Sequence, residues 1–329
     1  MAGFPPRLFR GRRRRALEAL EGGVMVLPAA PTRFRSRDTE YAYRPDSELF
    51  YLTGFTEPGA VAVLRGFADE ERYVLFVRER DEESERWAGP RVGPERASEL
   101  YGADRTRPLA ELEDALPELL EGARAIHYRL GADPRTQGLV EEALATARRK
   151  GPRRGTGPRA VVDPGEILDE MRVVKDDEEL GRIRRACRNT VEAFRAAARA
   201  VAPGAGEWEV EAELERAVRR AGASGPGFPT IVGGGANACV LHYDANGAAL
   251  VGGEAVLVDA GAEVDLYHAD VTRTFPVAGE WSPEQRDLYG VVESAREAGL
   301  EAVGPGTTTA EVHDAALGEL VDGMLALGL

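Results

Sequence analysis

The sequence predicts an α/β domain at the amino terminus, followed by a domain of the α+β class. Three observations lead to this prediction. Strand-like and helix-like segments alternate up to about residue 150, a segment of linker composition follows at Gly151–Gly157, and long amphipathic helices then precede a β-rich stretch at Val256–Val277. We expect residues 1–160 to form the first domain and residues 161–329 to form the second.

In the first domain, a helix over Arg12–Glu21 should end at Gly22-Gly23 and lead into the strand Val24–Leu27. Further runs are rich in β-branched and aromatic residues and alternate with amphipathic patterns. The predicted strands are Glu48–Thr53, Ala60–Leu64, Arg72–Val77 and Ala125–Leu130, and the predicted helices are Leu109–Glu121 and Thr136–Lys150. The arginine run Arg12–Arg15 is expected to form a solvated face of the first helix.

The second domain begins with helices. One apolar stripe from Leu180 to Val201 predicts a long helix that ends before Pro203-Gly204. A second amphipathic helix is predicted over Glu207–Ala221. Further along, Ser282–Gln285 has the pattern of a capping box with proline at the first helical position, which predicts the start of another helix.

A weak internal repeat runs through the second domain. Pro203-Gly204 with Glu209-Val210 recurs as Pro305-Gly306 with Glu311-Val312, 102 residues further along (204 to 306). In both places a helix ends at Pro-Gly and a new amphipathic helix begins. A complete second copy would extend beyond Leu329. Two interpretations therefore stay open: a chance similarity, or a catalytic domain whose second half is missing from these 329 residues.

Composition limits the class of partners. The formal net charge of −14 argues against nucleic acid or an anionic membrane surface as the main partner. The two cysteines cannot form a disulfide framework and suit a reducing cytoplasm. No apolar run approaches the roughly 18 residues of a membrane-spanning helix. We therefore expect a cytoplasmic protein with neither nucleic acid nor membrane as a partner.

A pair of aspartates marks the β-rich stretch. Two runs, Ala255–Ala260 and Tyr267–Phe275, predict a hairpin that contains Asp259 in one run and Asp270 in the other. A turn centred between Val264 and Asp265 would place the two carboxylates directly opposite each other on one face. Like charges in that position repel each other unless solvent, a proton or a cation intervenes. The spacing thus leaves a divalent-cation site and a solvated acidic hairpin both open.

Other residues could also carry chemistry. His242 follows the glycines Gly233–Gly235, where it could move a proton, contact a substrate, or simply be hydrogen-bonded at a strand end. His268 shares a predicted face with Asp270, although a surface histidine is the favoured interpretation. Trp87 lies in a charged segment, where it could mark a contact surface or cover a local core. Motifs of serine hydrolases, zincins and P-loop NTPases are absent from the sequence.

Several motifs along the chain point to one family. In the second domain they are Thr230–Gly233, Leu241-His242-Tyr243, Asp259-Ala260-Gly261 and Asp270–Pro276. Upstream they are Asp38–Tyr41, Phe50–Phe55, Met171-Arg172, Lys175 and Glu178-Glu179. Together these segments resemble the Xaa-Pro aminopeptidases (aminopeptidase P), a family with the pita-bread fold, and the upstream ones are similar to its amino-terminal domain and domain junction. The resemblance covers nearly the whole chain. It implies an α/β amino-terminal domain followed by an incomplete α+β pita-bread domain of the creatinase/aminopeptidase type.

The resemblance also implies an activity. Members of the family release the N-terminal residue from peptides with proline in second position. They use two Mn²⁺ ions held by two aspartates, one histidine and two glutamates, with a bridging hydroxide as the nucleophile. By motif, Asp259 and Asp270 are similar to the two aspartates, with Asp270 bridging the metals. His242 resembles a substrate-contacting histidine that is not a metal ligand. Trp87 resembles a tryptophan that some members present to a neighbouring subunit's active site, which implies a homo-oligomer.

The sequence departs from the family's pattern in one respect. No segment of the 329 residues resembles the histidine ligand or the two glutamate ligands. We therefore expect this chain to be inactive as a peptidase, and the full-length product to be active. Two other interpretations stay open: a proline dipeptidase with the same metals and fold, and a non-catalytic binding module that would take up no Mn²⁺ through Asp259 or Asp270.

Overall fold

The computed structural model of the chain describes residues 4–154 and 157–329, and it forms two compact units, Met1–Asp176 and Asp177–Leu329. The predicted linker Gly151–Gly157 begins within a helix that ends at Arg154, and its residues 155 and 156 lie outside the described ranges. Among the helices described, none is both long enough and apolar enough to cross a membrane.

The first unit is built on a six-stranded mixed sheet. Its strands are β1 (Val24–Pro28), β2 (Phe34–Ser36), β3 (Thr39–Glu40), β4 (Val61–Arg65), β5 (Tyr73–Val77), β6 (Arg105–Pro108), β7 (Ile126–His127) and β8 (Val161–Val162). The strand order is β6-β5-β4-β1-β7-β8, with β2 and β3 forming a separate ribbon. The β1–β4 and β4–β5 pairs are antiparallel, and the other neighbours in the sheet are parallel.

Helices cover both faces of this sheet. They are α1 (Pro6–Ala19), α2 (Ser47–Thr53), α3 (Glu82–Ala88), α4 (Gly93–Tyr101), α5 (Leu112–Leu119), α6 (Pro134–Arg154) and α7 (Gly165–Val173). Along β1, Met25 and Leu27 belong to the hydrophobic core that contains residues of α1 and α2. Val24 and Val26 belong to a second core with residues of α5 and α6. Burial on both faces is typical of α/β domains, so the predicted class of the first domain is confirmed.

The prediction of a strand over Glu48–Thr53 is wrong, because these residues form helix α2. The Asp46 carboxylate caps the helix by accepting hydrogen bonds from the backbone N–H groups of Glu48 (3.0 Å) and Leu49 (2.8 Å). Gly54 ends the helix in the left-handed conformation, with φ of 74°. The residues from Leu49 to Thr53 are all buried, so the segment lacks the polar face by which an amphipathic helix is recognised.

The arginine run of α1 agrees with its prediction only in part, because Arg14 and Arg15 are exposed but Arg12 and Arg13 are buried. Arg12 and Arg13 are only 1% and 5% exposed, so they do not belong to a solvated face. The Arg12 guanidinium lies 4.0 Å from the ring centroid of Tyr51 and donates a 2.8 Å hydrogen bond to the Asp176 carboxylate. Arg13 donates to the carbonyl of Leu52 at 3.0 Å. Burial is tolerated because each charge has polar partners and an aromatic face.

The first unit extends further along the chain than the predicted boundary at residue 160. Strand β8 pairs with β7, which makes it part of the first sheet. Leu168 of α7 belongs to the core beneath α1 and α2, and the Tyr51 hydroxyl donates to the Met171 carbonyl at 2.9 Å. The compact units therefore divide between Asp176 and Asp177, after the last residues that contact the first core.

The second unit begins with two long helices and continues as short antiparallel sheets. Its helices are α8 (Asp177–Ala200), α9 (Glu207–Arg220), α10 (Pro283–Ala302) and α11 (Thr309–Ala326). Its strands are β9 (Gly225–Pro226), β10 (Ile231–Gly234), β11 (Ala255–Ala260), β12 (Ala262–Val264), β13 (Tyr267–His268) and β14 (Val271–Pro276). The sheets have the orders β10-β11-β14 and β13-β12-β9. The capping box predicted at Ser282–Gln285 is confirmed at the start of α10.

The core of this unit fixes which face of β11 can carry chemistry. Val256, Val258 and Ala260 have no solvent exposure and pack with buried residues of α8 and α9. Because side chains alternate along a strand, Leu257 and Asp259 lie on the opposite face.

The sequence repeat has a local structural counterpart. Gly204 and Gly306 both have positive φ angles, 85° and 88°. After each of them a glutamate carboxylate accepts a 2.7 Å hydrogen bond from a backbone N–H at the start of a helix: Glu209 from Gly206, and Glu311 from Thr308. The helices α9 and α11 therefore begin in the same way, which favours a structural repeat over a chance similarity.

Candidate metal centre

A two-residue turn at Asp265-Leu266 sets the register of the hairpin. Both residues have positive φ angles, 51° and 70°. A type I′ turn requires positive φ at both central residues, and its twist matches that of the two strands it joins. Asp265 is held by Arg182 and Arg185 of α8, whose guanidinium nitrogens lie 3.7 and 4.0 Å from its carboxylate. The turn is thus one residue later than predicted.

This later turn changes the partner of Asp259. In the observed register Asp259 lies opposite Thr272, so the prediction that it faces Asp270 is wrong. The shift is two residues, an even number, which keeps the positions of Asp259 and Asp270 on one face of the pleat. The Thr272 hydroxyl donates a hydrogen bond to the Asp259 carboxylate.

The surroundings of Asp259 disfavour the ionised form of its carboxyl group. Burial raises the pKa of Asp259 above its ordinary value, and the hydrogen bond from Thr272 opposes this rise. The negative charge of Asp270 raises the pKa further, while His242 lowers it. Asp270 and His242 therefore both lie near enough to Asp259 to interact with it electrostatically. The Oδ1 atom of Asp259 is buried and has no hydrogen-bond partner among the described residues.

Close backbone packing explains why the residue after Asp259-Ala260 is a glycine, Gly261. A Cβ atom built on Gly261 would lie 1.6 Å from the carbonyl oxygen of Ala269 and 3.2 Å from the backbone nitrogen of Asp270. No side chain can occupy that space, so only glycine allows the two strands to approach here. The backbone next to both aspartates therefore depends on this residue.

His242 lies in a largely irregular segment, residues 234–248, which begins at the last residue of β10 and leads toward β11. Four hydrogen bonds tie this segment to the carboxylate of Glu207, the first residue of α9. Oε1 accepts from the Gly234 N–H (2.8 Å) and from Asn237 Nδ2 (3.0 Å). Oε2 accepts from the Tyr243 hydroxyl (2.8 Å) and from the Ala248 N–H (2.8 Å).

The two remaining predicted site residues, His268 and Trp87, are both exposed. His268 is exposed and pairs in register with Glu263 in the β12–β13 ribbon, as the surface interpretation expects. Trp87 lies on α3 of the first unit and is 89% exposed, so it does not cover a local core.

Two contributors to the site were not found from the sequence. Thr272 was missed because the predicted register assigned its place to Asp270. Glu207 could have been found, because it lies in the same helical stripe as Val210, Leu214 and Val218, all of which are buried. An acidic residue in register with an apolar stripe indicates a buried carboxylate with hydrogen-bond partners.

The donor set fits a hard divalent cation in part. Two carboxylates share one face, and one buried oxygen lacks a partner, which is the arrangement that a cation would satisfy. Across the described residues, no group of three or more histidine, cysteine, aspartate or glutamate side chains could hold a metal ion. The described residues therefore offer two candidate ligands, Asp259 and Asp270, and no complete coordination sphere.

Comparisons with known proteins agree with this arrangement. Residues 9–127 match the family model described as "Aminopeptidase P, N-terminal domain". Residues 181–326 match the model described as "Metallopeptidase family M24". The second match makes the chain a metallopeptidase by class, and this class uses a divalent metal.

Similar proteins extend over both units. The Xaa-Pro aminopeptidase of Escherichia coli is 37% identical over 98% of this chain and 73% of that protein. The Xaa-Pro aminopeptidase of Haemophilus influenzae is 31% identical over 100% of this chain and 74% of that protein. The chain belongs to the Xaa-Pro aminopeptidase family.

Solved structures support the fold. The aminopeptidase PepP of Pseudomonas aeruginosa superposes with a TM-score of 0.94 at 39% identity, over 100% of this chain and 74% of that one. A zinc-substituted Escherichia coli aminopeptidase P in complex with product gives a TM-score of 0.94 at 37% identity, over 99% of this chain and 75% of that one. An α/β amino-terminal domain followed by a pita-bread metallopeptidase domain is thereby confirmed.

Proposed function

We propose that this chain carries part of the metal centre of an aminopeptidase that releases the N-terminal residue from peptides with proline in second position. The observation that carries the proposal is the buried, unpartnered Oδ1 of Asp259, on the same face as Asp270 and within the electrostatic reach of His242. Its Xaa-Pro aminopeptidase relatives support the substrate class.

Each residue of the site has a distinct proposed role. Asp259 and Asp270 would hold a divalent metal such as Mn²⁺, each contributing a carboxylate oxygen. Bound metal supplies Lewis acidity and a nucleophilic water at neutral pH. Thr272 orients Asp259 through its hydrogen bond, so that the unpartnered Oδ1 is free to accept a cation. His242, exposed at the edge of this group, contacts the substrate and can carry a proton on its imidazole.

The described ligands are too few for catalysis. Two carboxylates cannot hold two metal ions with the affinity that turnover requires, and the 329 residues contain no match to the family's histidine and glutamate ligands. We therefore propose that this chain, assayed alone, does not cleave Xaa-Pro peptides. A longer product that carries those ligands is expected to be active.

Peptide hydrolysis tests this proposal. The chain is incubated with Mn²⁺ and a proline-containing tripeptide, and release of the first residue is followed by chromatography. A longer product is assayed in parallel on the tripeptide and on an Xaa-Pro dipeptide. We expect no turnover by the 329-residue chain and preferential cleavage of the tripeptide by the longer product.

Three results would contradict this proposal. Turnover by the metal-loaded 329-residue chain would refute the incomplete centre. Preference of the longer product for the dipeptide would indicate a dipeptidase. A longer product that neither cleaves peptides nor takes up Mn²⁺ would indicate a binding module on the same fold.

Trp87 and the cysteines support further parts of the proposal. The exposed Trp87 ring suits a contact with the substrate bound to a neighbouring subunit, which requires a homo-oligomer. Cys187 and Cys239 are free thiols at exposed positions, which suits a reducing cytoplasm. We also propose that the amino-terminal domain corresponds to the first compact unit, ending at Asp176 rather than at residue 160.

A further inference from the structure

The segment that carries His242 has little apolar packing to hold it. Residues 234–248 are all described, and Asn246 is the one buried residue among them. Apart from Gly234, the last residue of β10, and a 3₁₀ helix at Gly235–Cys239, the segment has no regular secondary structure. Its conformation must therefore depend on polar contacts, because neither apolar burial nor a ladder of backbone hydrogen bonds fixes it.

Glu207 supplies those contacts. All four hydrogen bonds accepted by its carboxylate come from residues 234–248, at both ends and in the middle of the segment. Glu207 has no solvent exposure, so these donors take the place of water around its charge. Hydrogen bonds to a buried charge are stronger than those between neutral groups and are costly to break. The carboxylate thus acts as one anchor for the whole segment.

Tyr243 connects this anchor to His242. Its hydroxyl donates to Glu207 at 2.8 Å and accepts hydrogen bonds from Asn237 Nδ2 (3.0 Å) and from the Gly247 N–H (3.3 Å). His242 is the preceding residue, and its exposed ring has no hydrogen-bond partner among the described residues. The position of the ring near Asp259 is therefore set through the backbone of its neighbour.

We propose that Glu207 is a positioning residue for His242: its buried carboxylate holds residues 234–248, through Tyr243, in the one conformation that places the His242 imidazole beside the aspartate pair. The inference rests on the proposed role of His242. It adds a buried residue of α9 to the site, although Glu207 touches neither aspartate in the hydrogen bonds described. Loss of the carboxylate should leave the helix in place and release the segment.

The test is the order of the His242 ring, observed by nuclear magnetic resonance in the isotope-labelled 329-residue chain. The imidazole signal is assigned by its disappearance in His242→Gln. Glu207→Gln removes the charge, and Tyr243→Phe removes only the hydroxyl link. For both variants we expect loss of the single sharp His242 resonance, which should broaden or split. The signals of His127, His268 and His313 should be unchanged.

Thr190→Val is the matched control. Thr190 is buried in α8 and accepts a 2.9 Å hydrogen bond from the Ala262 N–H, so the substitution destabilises the same unit without touching residues 234–248. Its His242 resonance should stay sharp. A sharp resonance in Tyr243→Phe would overturn the inference, as would equal broadening in Thr190→Val. Should Glu207→Gln fail to fold, Tyr243→Phe still decides the matter.

This measurement needs neither metal nor peptide. If the order of the His242 ring depends on Glu207, the positioning role remains valid even when the proposed peptidase activity is refuted. A ring that does not depend on Glu207 would refute the positioning role and leave the Mn²⁺ and peptide experiments untouched.

Discussion

Thr272 lies directly opposite Asp259 across the β11–β14 pair, and its hydroxyl donates a hydrogen bond to the Asp259 carboxylate. Asp270 is therefore a diagonal neighbour of Asp259, and diagonal positions in an antiparallel pair are about 7–8 Å apart, against about 4.5–5.5 Å for opposite ones. The wider spacing leaves room for a cation between the two carboxylates. The place opposite Asp259 is taken by a side chain that can orient it.

We predict that Thr272→Val weakens Mn²⁺ binding about tenfold, because hydrogen bonds that orient a metal ligand typically contribute that much to affinity. The substitution keeps the shape of the side chain and removes its hydroxyl. Thr274→Val is the control, since Thr274 lies on the same strand opposite Leu257 and contacts no aspartate in the described pairing. Water proton relaxation during Mn²⁺ titration measures both. Equal affinities for the two variants would contradict the orienting role.

Gly261→Ala should destabilise the second unit by about 3 kcal/mol, because the added methyl group would overlap the Ala269 carbonyl and force the strands apart. Gly290→Ala is the matched control. Gly290 lies inside α10, and no atom lies within 4 Å of its added Cβ, so alanine should stabilise the helix by about 0.5–1 kcal/mol. Denaturant unfolding of both variants gives the comparison. A neutral Gly261→Ala would show that the hairpin can tolerate a side chain there.

Glu207→Gln should reduce stability by about 2 kcal/mol near neutral pH, because an amide cannot accept all four hydrogen bonds. Burial alone would raise the pKa of Glu207, but its hydrogen bonds outweigh burial and hold the pKa below the ordinary value. A carboxylate with a lowered folded-state pKa contributes stability above its unfolded pKa of about 4.3. That contribution is lost as the pH falls through the folded value.

The difference in free energy of unfolding between wild type and Glu207→Gln should therefore be constant above about pH 5 and shrink in acid. Urea unfolding at a series of pH values measures it. A difference that grows as the pH falls would contradict the lowered pKa.

Arg12→Ala should cost the first unit about 2 kcal/mol, because it removes a buried guanidinium and its hydrogen bonds to the Asp176 carboxylate and the Tyr51 carbonyl. The Arg12 side chain also covers the Tyr51 ring. Arg14→Ala is the control: its side chain is 75% exposed and pairs only loosely with Glu18 at 3.8 Å, so less than about 0.5 kcal/mol is expected. Thermal unfolding of the two variants measures their losses of stability. Similar losses for Arg12→Ala and Arg14→Ala would mean that the burial of Arg12 has no energetic consequence.

Periodicity predicted most of the scaffold. The strands β1, β4 and β5 and the helix α9 lie within one residue of their predicted bounds, and α8 begins three residues before its predicted apolar stripe. These segments have clear alternation or a clear apolar stripe, so local pattern and tertiary packing agree. Glu48–Thr53 failed because it is buried all round, and a short buried helix has no polar face to distinguish it from a buried strand.

The site was harder to predict than the scaffold. Asp259 and Asp270 stood out by residue type, but their register depended on Leu266 adopting a positive φ, which sequence preferences do not favour. Burial of Arg12 depends on Tyr51 and Asp176, which are distant in sequence. The hydrogen bonds of Glu207 likewise join residues 27 to 41 positions away. Pattern over a short window cannot report such partners.

Mn²⁺ titration of the 329-residue chain and its Asp259→Asn and Asp270→Asn variants tests the central proposal most directly. We predict that the wild-type chain binds Mn²⁺ weakly, with a Kd of about 10⁻⁴–10⁻³ M as in sites with few charged ligands. Each variant should lose this binding while keeping its fold, judged by circular dichroism. Mn²⁺ uptake that is unchanged in both variants, or absent from the wild-type chain, would contradict a metal site built on this aspartate pair.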